Sequence, residues 1–407
     1  MQAAKPWSVA VSLRGFYDDN VNGTKRDKVD SIGYEVSPSI GFGIVRDQTS
    51  VDLGYTYSGK YYEDEPSGRA DKWDHTHIFT AGLDHRFSPR HSISLKDSFV
   101  VGQEPDVLRV LNMPTATYQR VDGDNIRNYG AIIFNTEVTE LLGFEFGYDN
   151  AFWDYNDEQS AVDIDGAGNV IRSSSSGLLD RLDNRIHIDS RWHFRPETVG
   201  ILGYQFTQTG YTGDEAISGN VFTGPVVESD DRDNRTHAVY AGVEHAFNPT
   251  LSGSLKAGGQ YADYYGDPAD DDDLYPFVQA SLNYAYAQES SAQLGFQHQL
   301  SAANLVGPTG DFVHDMSATT VYGSIIHRIM PKLFGTLLAT YQHSTYNGGG
   351  PGLDDESDDF FQVGIDFSYR FNPHLSAHAG YNFDTLSSQV NEDFDRNRVY
   401  LGVTAQY

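Results

Sequence analysis

The chain has 407 residues, 39% of them hydrophobic and 13% aromatic, with no cysteine and a formal charge of −29. The lack of thiols excludes disulfides and thiolate metal sites, and the acidic balance argues against nucleic acid as a partner. No run approaches the ~20 apolar residues of a transmembrane helix, but a β-barrel hides its apolar residues in alternation and escapes that exclusion.

The chain opens on Met1-Gln2-Ala3-Ala4, which reads equally as a remnant of a signal-peptide cleavage region or as an ordinary start. A period of two then begins and never stops. Val9, Val11 and Leu13 oppose Ser8, Ala10, Ser12 and Arg14. Val51, Leu53, Tyr55 and Tyr57 oppose Asp52, Gly54, Thr56 and Ser58. Leu142, Phe144, Phe146 and Tyr148 oppose Gly143, Glu145, Gly147 and Asp149. Near the end, Val363, Ile365, Phe367, Tyr369 and Phe371 oppose Gly364, Asp366, Ser368 and Arg370, and the last strand closes on Tyr407.

Two kinds of connection separate these segments. Eight are tight, as at Ser88-Pro89, Arg195-Pro196, Asn248-Pro249 and Asn372-Pro373. Nine are long, polar and acidic, such as residues 62–74 and 266–276. The count predicts an all-β, antiparallel up-and-down barrel of about 18 strands, each near the ~9–11 residues a tilted membrane strand needs. An even count puts both termini on the short-turn side. No linker or composition break appears, so residues 1–407 read as one domain. One internal similarity stands out: residues 76–96 and 236–256 agree at 11 of 21 positions. A period near 42 residues would also suit a β-propeller, but no blade signature recurs.

Which face is wet follows from three patterns. The face opposite the aliphatic residues is polar on strand after strand, with charged residues mixed among many Gly and Ser. Aromatic residues recur at fixed distances before the turn prolines: Phe87, Phe194, Phe247 and Phe371 two before, and Trp192 and Tyr369 four before. Rings at one height on the apolar face describe an interfacial girdle; a plain hairpin motif of a soluble sandwich is the alternative. The asymmetry of short turns and long loops holds throughout. The apolar face is therefore expected to meet lipid and the charged face to line an aqueous lumen.

The pattern resembles a Gram-negative outer-membrane β-barrel, and within that class the putative β-barrel porin 2-like family. The segments "HRFSP", "HAFNP" and "YRFNP", and a final strand "RVYLGVTAQY" ending in an aromatic residue, carry the resemblance. Phe is the usual last residue, so Tyr407 departs mildly. The resemblance covers the whole chain. It implies outer-membrane lipid and lipopolysaccharide as surroundings, periplasmic termini, and recognition of the last strand by the barrel-assembly machinery. It also implies passive diffusion of small hydrophilic solutes, with exopolysaccharide export, or a plugged structural or adhesive barrel, as the other readings. Trimerisation, common among porins, leaves no decisive mark here, and a homo-oligomer stays open.

By phase, the expected pore-lining set is Glu35, Asp52, Asp84, Lys96, Arg127, Glu145, Asp149, Arg181, Arg185, His187, Asp189, Arg191, Glu244, Lys256, Asp366, Arg370 and Arg398. Asp84 with Lys96, and Glu244 with Lys256, are expected to form ion pairs that brace the wall. Arg181 to Arg191 form a mainly basic stripe beside the acidic Glu145 and Asp149. Such a pair of stripes could set a transverse field across the lumen, close into a wall-bracing salt-bridge network, or do both. Arg235 falls on the outward phase.

Residues 102–125 contain an apolar run, Val107 to Met113, that could fold inward and narrow the pore, or contact a neighbouring protein. Asp270, Asp271, Asp272 and Asp273 form an acidic cluster that could hold a hard cation, though without EF-hand spacing a solvated loop is the default. The acid excess of the loops should attract cations to the mouth, so a weak cation preference is expected. Nothing implies a cofactor or catalysis. His187 near Asp189 is the one suggestive pair, and neighbours two apart on one lumenal face are common by chance.

Overall fold

In a computed structural model, residues 5–64, 72–102, 124–156, 163–224, 226–265, 273–303, 313–350, 352–390 and 393–407 are described. Eighteen strands form the wall: β1 (Trp7–Asp18), β2 (Ser31–Val45), β3 (Thr49–Tyr62), β4 (Trp73–Ser88), β5 (His91–Gly102), β6 (Asp124–Glu137), β7 (Leu142–Asn156), β8 (Arg181–Arg195) and β9 (Thr198–Tyr211) make one half. The other half is β10 (Asn234–Asn248), β11 (Leu251–Asp263), β12 (Asp273–Ala287), β13 (Ser290–Ser301), β14 (Val313–Met330), β15 (Leu333–Gly348), β16 (Ser357–Asn372), β17 (Leu375–Ser388) and β18 (Phe394–Gln406).

Each strand pairs antiparallel with the next, and β18 returns to pair with β1, so the sheet closes on itself. Closure leaves no edge, the condition under which a sheet can sit in hydrocarbon with its backbone groups satisfied. At the seam the β1 residues Ala10 to Asp18 face Gln406 back to Arg398. Side chains reinforce it. Ser12 and Thr404 hydroxyls meet at 2.9 Å, and the Arg396 guanidinium grips Asp18 through Nε at 2.8 and 2.9 Å. Both partners are buried. The loop after β1 ties to the same strand, with Lys28 2.8 Å from the Asp395 carboxylate.

Alternation follows the pleat. The aliphatic and aromatic residues of the outward phase, among them Leu13, Ile40, Leu202, Val239, Leu294 and Leu401, are well exposed. A soluble protein would bury such a continuous apolar belt.

The aromatic positions before the turns coincide with a local irregularity of pairing. At five hairpins the pairing register skips one residue just before the turn: between Arg86 and Ser88, His193 and Arg195, Ala246 and Asn248, Arg328 and Met330, and Arg370 and Asn372. The skipped residues are Phe87, Phe194, Phe247, Ile329 and Phe371, and each bulge leaves its side chain exposed on the outer surface. The similar segments 76–96 and 236–256 are the β4–β5 and β10–β11 hairpins, and they match in detail. His85 bonds Thr49 at 2.8 Å and packs edge-on against Phe87 at 4.5 Å. His245 bonds Thr198 at 2.9 Å and packs edge-on against Phe247 at 4.7 Å. The local hairpin motif and the ring of exposed aromatic residues are thus one feature.

Between β7 and β10 the long connections build a cap. A short helix, α1 (Ser175–Leu179), is capped by the Ser174 hydroxyl, which accepts from the Gly177 amide. Ile217 and Val227 form a small core beside it. Arg232, fully enclosed, donates to the Gly177 and Leu178 carbonyls at 2.7 and 3.1 Å and lies 3.9 Å from the centre of the Tyr211 ring. Burial, aided by repulsion from Arg181, pulls this guanidinium below its ordinary pKa.

Candidate pore wall

The inner face is built by the even-numbered residues of some strands and the odd-numbered residues of others, as register dictates. Its most connected stretch spans β7 to β11. Arg185 stands directly opposite Asp149 in register and bonds it at 3.1 Å. His187 reaches Glu145 at 3.4 Å, lying over Gly147, where a Cβ would sit 1.8 Å from the imidazole. The glycine therefore lets the ring lie flat against the wall.

Asp189 is the hub. Two carboxylates, Asp189 and Glu145, face each other in register, a repulsive pairing unless cations intervene. Asp189 accepts the Tyr240 hydroxyl at 2.6 Å and the Lys256 ammonium at 2.7 Å. Arg191 binds Glu244 at 2.5 and 3.1 Å and stands 3.8 Å from Glu145. Small residues make these reaches possible. Asp189, Gly203, Tyr240 and Gly258 lie in one row across four strands. A Cβ on Gly203 would fall 2.2 Å from the Asp189 carboxylate and 2.3 Å from the Tyr240 ring.

The expected brace between Glu244 and Lys256 is therefore not the one formed. Glu244 faces Ser254 and Lys256 faces Gly242, so the two charges are offset by two residues. Lys256 instead crosses two strands to Asp189, and Glu244 takes Arg191. The brace between Asp84 and Lys96 is likewise absent. Asp84 takes the Ser50 hydroxyl at 3.4 Å. Lys96 lies opposite Gly82, exposed and without an ion-pair partner among the described residues. Asp52 is on the far side of that same glycine, also exposed. Register, not height alone, chooses partners. The stripes of β7 and β8 are paired into a network rather than held apart as opposed charges.

Elsewhere the inward phase carries smaller clusters. Arg14 binds Glu35 at 3.3 Å and covers the Tyr400 ring at 4.4 Å. Glu35 also accepts Ser37 and Ser58. Tyr400 donates to Asp366 at 2.8 Å, and Arg398 binds Asp384 at 2.7 Å. Arg370 stacks 4.1 Å over Phe334. Near the long-loop end, Arg181 is buried 4.1 Å over Trp153, with Asp183 at 3.4 Å from its Nε. Arg127, also buried, faces Trp153 from β6 in register. Arg235 points outward and covers the Tyr265 ring at 4.4 Å.

The phase that placed the charges also contained a feature that charge-based reading passes over. Between Asp315 and Arg328, and across β12, β13 and β15, the inner wall has no acid or base over several rows of described residues. It presents amides and hydroxyls: Gln279, Gln297, Thr320 and Gln342 stand in one row. Of the outward aromatic set, Trp192 and Tyr369 stand exposed beside the bulged Phe87, Phe194, Phe247 and Phe371. Residues 103–123 and Asp270 to Asp272 lie outside the described residues. Asp273 opens β12, and the described residues hold no cluster suited to a metal.

Residues 221–407, from the cap through the second half of the wall, match the model of the putative beta-barrel porin 2 family. Over that segment, a little under half of the chain, the protein is similar to porin-type barrels. Among solved structures, the barrel is similar to OccK1 (OpdK) of Pseudomonas aeruginosa, at 15% identity and TM-score 0.46, covering 98% of this chain and 99% of that one. It is similar to OccK9 (OpdG) of the same species, at 12% identity and TM-score 0.47, covering 98% of each chain. It is also similar to OccAB4 of Acinetobacter baumannii, at 13% identity and TM-score 0.45, covering 100% of this chain and 99% of that one. No curated protein matches the sequence.

Proposed function

We propose that the barrel is a passive, water-filled path for small hydrophilic solutes. The observation that carries this reading is the inner face of the closed sheet, lined by paired charges on one side and by amides and hydroxyls on the other. Barrels of 16–18 strands are wide enough for an aqueous channel. Rings of charge and pore width would set selectivity. The paired wall of β7 to β11 contributes little net charge, so the overall −29, concentrated in the long connections, dominates the potential at the mouth. Preference for cations follows from that excess. The short turns and both termini face the periplasm on this reading, and the long connections face outward.

A salt gradient across a planar bilayer tests it. The refolded barrel should give steady single-channel steps, and the reversal potential should report a modest cation preference that shrinks as salt screens the mouth. Absence of conductance from a folded barrel would overturn the open path.

A second reading, passage of a neutral polysaccharide, is favoured by the uncharged wall of β12 to β15. Hydroxyls and amides are the groups that exchange hydrogen bonds with sugars without binding ions. Concentration-dependent block of the current by a neutral oligosaccharide, and not by a charged solute of equal size, would move the assignment there.

A further inference from the structure

The outward face of β5 to β8 carries an island of polar side chains inside the apolar belt. Asp97 lies on the same outer phase as Ile93, Leu95 and Phe99. It accepts a hydrogen bond from the Asn128 amide at 3.0 Å. The Asn128 oxygen in turn accepts from the Asn150 amide at 3.2 Å. At the upper margin, the Tyr148 hydroxyl donates to Asn184 at 2.8 Å. Apolar residues continue above the island as well as below it, with Phe99, Ile126 and Phe152 on the same outer phase.

Its depth can be counted. Asp97 is six residues past His91, the first of β5. At about 3.3 Å per residue and a tilt near 40°, that places it roughly 15 Å above the turn, well inside an apolar band of about 25 Å. The seven other strands that rise from a short turn carry Tyr55, Tyr148, Tyr204, Ala257, Phe296, Ala339 and Tyr381 at this step. Among the described strands, Asp97 is the one charged outward residue with apolar outward neighbours on both sides along its strand.

Lipid tails offer no hydrogen bonds, and the island's internal bonds do not exhaust it. Asp97 uses one oxygen for one bond, and each amide still holds an unspent N–H. The island thus presents acceptors and donors together, the requirement for a surface that binds its own copy about a two-fold axis. Gly130, between Asp97 and Asn150 in register, keeps the wall low at that point: a Cβ there would lie 2.3 Å from the Asn150 oxygen.

We infer that the outer wall of β5 to β8 is the contact face of a homodimer, in which two islands close on each other within the membrane. Phe99, Ile132 and Phe152 form the apolar rim that keeps lipid out of the polar centre. The inference concerns the outer surface and holds whatever solute the lumen passes.

The chain has no native cysteine, so single cysteines can report the contact in membranes. Ile132→Cys, at the rim, should cross-link to a dimer under mild oxidation, while Leu401→Cys, on the outward face of β18, should not. Adding Asp97→Leu and Asn128→Leu to Ile132→Cys should lower the cross-linked fraction at least fivefold. Heat-modifiable electrophoretic mobility would show that each barrel is folded. The unmodified chain in mild detergent should show twice its 45.2 kDa mass by native mass spectrometry. A monomer at all concentrations, equal cross-linking at both sites, or capture of a different protein at Ile132→Cys would each overturn the inference.

Discussion

Arg396→Ala is expected to destabilise the folded barrel by about 3–5 kcal/mol, the scale for removing one partner of a buried ion pair. Asp18 would be left enclosed at the seam without the guanidinium that now meets both of its oxygens. The seam joins the first and last strands and is the least local pairing in the chain. It is formed by the fewest residue pairs described for any neighbouring strands of the first half: Ala10 to Asp18 against Gln406 to Arg398. Weakening it loosens closure itself, and an unclosed sheet exposes two edges to lipid. Equilibrium unfolding in urea with the barrel in detergent measures the effect as a lower midpoint. Converting both partners to neutral residues, Asp18→Asn with Arg396→Met, should recover most of the loss, because no charge is then stranded. A loss under about 1 kcal/mol for Arg396→Ala would mean that the pair is solvated and contributes little.

The second large effect is expected at Lys256. Among the described residues its ammonium is the one cation in direct contact with Asp189, whose other side-chain bond there comes from Tyr240. Lys256→Met leaves that enclosed carboxylate facing Glu145 in register with a hydroxyl alone to support it. The expected cost is again about 3–5 kcal/mol. Asp189→Asn in the same chain should return most of it. Lys96 is the internal control. It sits on the same inner phase but contacts no acid among the described residues, so Lys96→Met should change stability by less than about 0.5 kcal/mol. It should instead move the reversal potential toward stronger cation preference. If Lys96→Met were the more destabilising of the two, the interleaved network of β8 to β11 would not be what holds that wall.

Alternation alone assigns Phe367 and Tyr369 to one face and Asp366 and Arg370 to the other, because the pleat has a period of two and tolerates no intermediate direction. Short polar breaks between the alternating runs, five of the eight marked by a proline, locate the tight connections, although Pro38 and Pro276 themselves lie within β2 and β12. From these two signals the strand count, the up-and-down order and the inner and outer faces follow. The aromatic spacing before the turns was visible too. That Phe87 and Phe247 are bulged out of the pairing register was not, because a bulge is a relation between two strands.

What the tertiary structure alone decided is which inner residues meet. Glu244 and Lys256 flank one turn at matching distances, yet Lys256 bonds Asp189 on β8 and Glu244 bonds Arg191. Neighbouring strands lie about 4.8 Å apart, so a lysine or arginine can cross two of them when glycines such as Gly203 and Gly242 leave the path open. That choice depends on the stagger between strands far apart in sequence, and no periodicity within one strand encodes it. The same holds outside: Asp97, Asn128 and Asn150 interrupt three separate alternations, and only the register of β5, β6 and β7 gathers them into one island.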